Sequence, residues 1–183
     1  MSAPVTEPLE FDDTSKLMEH LVRESAASVR KPAPDMADLA SVIRALLDLN
    51  GGQSTRVPLG GGLFDAVITA AGPASRAVAD LMDQIQNGCG PVIEDPENGL
   101  VYWLVPPGSA ERWAPHSHAV CLGAPYKITL PALHRTAPPG PYWLRPETKD
   151  RLVPVGPLRQ ALDEHQPEPA PHADFAARFG TPH

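Results

Sequence analysis

Apolar residues in this chain come in short blocks, cut apart by proline and glycine, and their spacing switches between helical and extended periods. Leu17, Leu21, Val22 and Val29 lie at roughly helical intervals over 13–30, with Thr14 or Ser15 able to cap them. Lys31-Pro32-Ala33-Pro34 stops that helix and acts as a short stiff linker. A second helix starts at Asp35, buries Met36, Leu39, Val42, Ile43, Leu46 and Leu49 on one face, and leaves through Asn50-Gly51-Gly52. Thr55 to Leu59 suits an edge strand and Gly60-Gly61-Gly62 a turn. Phe64 to Thr69 reads as a buried strand, and Gly72-Pro73 opens a third helix with Val78, Leu81, Met82 and Ile85 facing inward. A hairpin follows, with arms at 91–94 and 100–105 around an Asp95–Gly99 loop. Short strands are expected at 118–122, 126–131 and 142–144, and a last helix over 157–165.

This order predicts an α+β domain: a small mixed β-sheet with helices packed on one face, preceded by N-terminal helices. Three regions result: a helical extension with linker at 1–34, the α+β domain at 35–165, and a proline-rich tail at 166–183 expected to be disordered. Phe175 and Phe179 in that tail, four residues apart, could dock a partner as one helical turn. No internal repeat is present, and no apolar run approaches the roughly 18 residues of a membrane span. The N-terminus lacks the basic-then-apolar order of a secretory signal. Cys89 and Cys121 are too few for a disulfide framework, so the expected location is the cytoplasm.

Charge divides the chain further. The formal net charge is −7, yet residues 100–160 carry Arg112, Lys127, Arg135, Arg145, Lys149, Arg151 and Arg159 against Glu111, Glu147 and Asp150, a net of +4. All three tryptophans and all three tyrosines lie in the same stretch. Exposed aromatics beside cations can stack bases while the cations neutralise phosphates, and Trp113 next to Arg112 or Tyr142-Trp143 before Arg145 have that form. The competing reading is that Tyr102, Trp103, Tyr126 and Trp143 fill the core, and the overall negative charge favours it.

Other candidate chemistry is sparse. His116 and His118 would point to one face of a strand and could share a divalent metal if His134, Cys121 or Glu111 came near. No other cofactor is expected. Cys89 could act as a nucleophile if His118 approached it; the alternative is two small buried thiols. Gly60-Gly61-Gly62 precedes a strand and is followed by no lysine, so it is not a phosphate loop. Asp65 is unusual inside an apolar strand, and its alternate neighbour is Val67, not a second acid.

From Asp65 to Arg145 the chain resembles the N-terminal domain of bifunctional DNA primase/polymerases, the prim-pol branch of archaeo-eukaryotic primases. The residues that carry the resemblance are Leu100 to Gly108, Leu122 to Pro131, and Gly140 to Pro146. The alanine-, proline- and arginine-rich composition is similar to that of short prim-pol-like proteins of high-GC actinobacteria. The family implies two acids one residue apart on a strand, holding two divalent ions; here only Asp65 matches and Val67 takes the companion place. Leu100, Val101 and Tyr102 stand where a basic or histidine residue is implied, and His118-Ala119-Val120-Cys121 where a third acid is. The resemblance therefore implies a catalytically degenerate domain that binds a nucleotide or nucleic acid, or regulates. Asp65, Tyr126, Lys127, Arg135, Tyr142, Trp143 and Arg145 would line its former cleft. A protein-interaction subunit using the N-terminal helices or the tail is the alternative. An active polymerase built on Asp65, His116 and His118 is the third reading.

Overall fold

The computed structural model describes residues 53–86, 88–146 and 151–169, together with Ser41, Ala45 and Asp48. The helix expected at 13–30, the 1–34 extension and Phe175/Phe179 lie outside those residues. Of the helix expected over 35–49, the three described residues are helical and exposed. The elements in order are β1 (Thr55–Pro58), β2 (Asp65–Ala70), α1 (Pro73–Gln86), β3 (Val92–Asp95), β4 (Leu100–Val105), α2 (Ser109–Arg112), β5 (Val120–Leu122), β6 (Lys127–Leu130), β7 (Tyr142–Arg145) and α3 (Val155–His165). This is an α+β fold. The short α2 turn was not foreseen.

A five-stranded sheet runs in the order β5-β2-β4-β3-β7, and β1 pairs with β6 in a separate two-stranded ribbon. Every ladder is antiparallel, where a mixed sheet was expected. The reason lies in the connections. The β2-α1-β3 crossover does make β2 and β3 run the same way, but β4 inserts between them, so no parallel pair touches. The β-α-β-β-α-β order with this insertion is the split βαβ arrangement.

Strand alternation sorts the side chains into two cores. Val67, Val92, Val101, Trp103 and Val105 face α1 and α3, meeting Val78, Ala79, Met82, Leu158, Ala161 and Leu162. Ala66, Ile68, Ile93, Leu100, Leu104 and Trp143 face the ribbon, meeting Val57, Ile128 and Leu130. Helices thus occupy one face, as expected, while the ribbon covers the other. A continuous apolar strand such as Leu100–Val105 is what two buried faces require.

On α1, Ser75, Val78, Ala79 and Met82 form the buried stripe. Ile85 was expected to face inward, but it sits at the edge of that stripe in the final turn and is 54% exposed. Two turns need glycine. Gly60, Gly61 and Gly62 all have positive φ, and the turn closes with Gly60 N–H donating to Phe64 O at 2.8 Å. At Gly90 a Cβ would come within 2.9 Å of the Val153 backbone nitrogen.

Candidate functional site

Asp65 begins β2 and, by alternation, points to the same helix side as Val67. It is 2% exposed, and its Oδ2 accepts the Ala110 backbone N–H at 2.8 Å. The amides of Gly108 and Ser109 lie close enough to favour its charged form, although the Ser109 N–H donates to Pro106 O at 3.2 Å, so the carboxylate sits against the turn that leads into α2. Gly108 enters that turn with φ 76°, and Gly123 leaves space beside the carboxylate, since a Cβ there would lie 3.1 Å from Asp65 Oδ1. Burial pushes the Asp65 carboxyl above its ordinary value, and the three amides only partly offset the shift. The aspartate is tied to backbone amides; it does not stand in an open cleft.

The other residues assigned to the cleft are spread across the fold. Trp143 is 3% exposed in the ribbon-side core and donates from Nε1 to Pro131 O at 3.1 Å. Tyr142 is buried on the helix side, donating to Glu94 Oε2 at 2.7 Å, while Arg76 donates to the same carboxylate at 3.0 and 3.2 Å. Burial and the Glu94 carboxylate hold the Tyr142 phenol above its usual range. Arg145 grips α1, with Nε 2.6 Å from Asp83 Oδ2 and Nη2 2.5 Å from Asp80 Oδ1. Simple alternation after Trp143 would have turned Arg145 to the ribbon side. A register irregularity between Val92 and Ile93 puts both Leu144 and Arg145 on the helix side instead. Arg145 and Asp65 are then three strands apart, about 14 Å at the usual strand spacing. Arg135 is exposed and donates from Nη1 to Pro139 O at 2.7 Å, bracing the Pro138-Pro139-Gly140 turn. Tyr126 packs on the ribbon-side core. Trp103 and Trp143 fill core positions, and Trp113 lies under the Arg159 guanidinium at 5.1 Å.

His116 and His118 are each engaged within the protein. His116 Nδ1 accepts the His118 backbone N–H at 3.1 Å, which places the neutral ring's proton on Nε2. That nitrogen lies 3.0 Å from Asp163 Oδ1, though off the line a hydrogen bond needs. Burial lowers the His116 pKa. His118 Nδ1 donates to Pro167 O at 2.6 Å. Among the described residues, no three His, Cys, Asp or Glu side chains gather in a way that could hold a metal ion. Cys89 is 2% exposed, and burial pushes both thiols up to about 12. A thiol in that state is a poor nucleophile at neutral pH.

One cavity does collect polar groups. It holds about 410 Å³ at the ribbon side of the β3–β4 hairpin and is lined by Arg56, Asp95, Asn98, Tyr102, Lys127, Ile128, Thr129 and Pro141. Of the sequence candidates, Lys127 alone appears in this lining. Arg56 went unrecognised because it is 71 positions from Lys127, and only the β1–β6 pairing joins them. Asp95, expected as the first residue of the hairpin loop, is the last residue of β3.

No protein-family model, no curated protein and no solved structure matches this chain. Function must therefore be argued from the fold and its sites. No helix among the described residues is long and apolar enough to cross a membrane.

Proposed function

We propose that the chain is a catalytically degenerate prim-pol-like domain, acting in the cytoplasm as a nucleotide- or nucleic-acid-binding or regulatory module. The observation that carries this reading is the fate of Asp65: its carboxylate is buried and accepts the Ala110 backbone N–H, and the next same-face position is Val67, itself fully buried. In-line transfer assisted by two metals needs carboxylates that clamp both ions, and a lone acid consumed by backbone donors cannot do this. The split βαβ sheet, with helices on one face and the ribbon packed on the other, also supports the reading as an α+β domain of the expected class.

Primer-synthesis and extension assays with magnesium or manganese test the catalytic half. No nucleotide incorporation is expected. Metal-dependent incorporation that disappears in Asp65→Asn would overturn the reading. Titration with nucleotides and single-stranded DNA at low salt tests the binding half, where absence of binding to either would leave only a regulatory role. The alternative, a protein-interaction subunit, rests on residues 1–34 and 166–183. It predicts a salt-resistant partner that is lost when those segments are trimmed.

A further inference from the structure

We infer that the cavity lined by residues of the ribbon and of the β3–β4 hairpin is a binding site for a small phosphate monoester with a hydroxyl-bearing body, that is, a sugar phosphate. The inference rests on reading the domain as a binding module, and it names a site and ligand class for it.

The cations come first. Val57, Ile128 and Leu130 turn toward the core, so Arg56, Lys127 and Thr129 alternate onto the other face of the ribbon. Arg56 sits directly opposite Thr129, and Lys127 opposite Pro58. That puts Arg56 and Lys127 in a diagonal relation, roughly 7–8 Å apart at their bases, a distance their long side chains can close onto one dianion. Neither side chain forms a hydrogen bond or an ion pair among the described residues. Elsewhere Arg76, Arg145 and Arg159 are all held by protein oxygens. An arginine fork with an adjacent ammonium and a threonine hydroxyl suits the several oxygens of a phosphate.

The hairpin contributes lining of different chemistry. Asp95 is 5% exposed and fixed from within its own loop, accepting the Asn98 backbone N–H at 3.2 Å and Asn98 Nδ2 at 2.6 Å. A carboxylate has about four acceptor positions, so two of them remain for donors from a ligand. It repels an anion and attracts hydroxyls. Tyr102, Ile128 and Pro141 add apolar surface to the same lining. A ligand matching all three features has phosphate at one end and hydroxyls at the other, and the volume lies in the range of small-molecule sites. The −7 net charge of the chain disfavours a long polyanion in the same place.

Calorimetric titration of the full chain with ribose 5-phosphate, ribose, inorganic phosphate and a short oligothymidylate tests this. Ribose 5-phosphate is expected to bind, inorganic phosphate about tenfold more weakly or worse, and ribose not measurably. Arg56→Ala and Lys127→Ala should each weaken ribose 5-phosphate binding about tenfold without moving the unfolding midpoint, since both side chains project from the core. The inference is overturned if ribose 5-phosphate does not bind, if both variants bind it as the parent does, or if phosphate alone binds equally well. Tighter binding of the oligothymidylate would overturn it too, while leaving the proposed function standing. Primer synthesis by the parent chain would overturn the proposed function, whatever the outcome at this cavity.

Discussion

The two sides of the central sheet treat polar groups differently. On the helix side the ionisable groups are used up internally: Asp65 by backbone amides, Glu94 by Arg76 and Tyr142, Arg145 by Asp80 and Asp83. On the ribbon side Arg56 and Lys127 line a cavity to which Asp95 also contributes. Buried charge is tolerated only when paired or hydrogen-bonded, so the bonds of the buried Asp65 and Glu94 are explained by folding alone. Two like charges left beside one another on a ribbon contribute nothing to folding, and that side is where a ligand is expected.

Substitutions can break this contrast, and the largest effect belongs to the helix side. Asp65→Ala removes the acceptor for the Ala110 amide and leaves a space beside α2, and should destabilise the domain by about 1–3 kcal/mol, measured by urea unfolding. A change below about 0.5 kcal/mol would show that the carboxylate is not needed for the turn, and the contrast would fail at its strongest point.

A smaller effect is expected from His116. Its folded pKa is lowered by burial, so the unfolded chain takes up the proton first as pH falls. Stability is then fully present above the ordinary value of 6.5 and declines as pH drops from there toward the folded value. Protonation would also end the acceptor role of Nδ1 toward His118. Unfolding midpoints measured across that window should slope downward with acid in the parent and less steeply in His116→Gln. Equal slopes would remove His116 from the account.

The smallest effect is on the ribbon. Arg56→Ala and Lys127→Ala together should change folding stability by no more than about 0.5 kcal/mol, and a slight gain is consistent with removing like-charge repulsion. A loss above about 1.5 kcal/mol by thermal unfolding would mean that these cations serve the fold after all, erasing the difference between the two sides.

Much of the fold was legible in the chain because apolar period and turn residues are local signals. The strand at 65–70, the helix opened by Gly72-Pro73, the hairpin around 95–99 and the closing helix all follow from them. Trp103 and Trp143 are in the core, the plainer of the two readings the chain allowed, and the cleft role expected of Trp143 fails because a small domain gains most by burying its largest side chains. The candidate cleft was much less legible. Asp65 drew attention for a sound reason, a carboxylate in an apolar strand, but nothing local announces that Gly108 to Ala110 will return to cap it.

The sequence by itself determined which segments become strands and helices, which residues are too apolar to stay in water, and that a second acid beside Asp65 is missing. Only the tertiary structure decided which strands became neighbours, that the ribbon would cover the second sheet face, that a bulge would turn Arg145 toward α1, and that Arg56 would meet Lys127. The physical reason is range. Backbone preference and hydrophobic period act over a few residues, whereas pairing register, burial and charge contact depend on segments tens of positions apart being brought together by the common core.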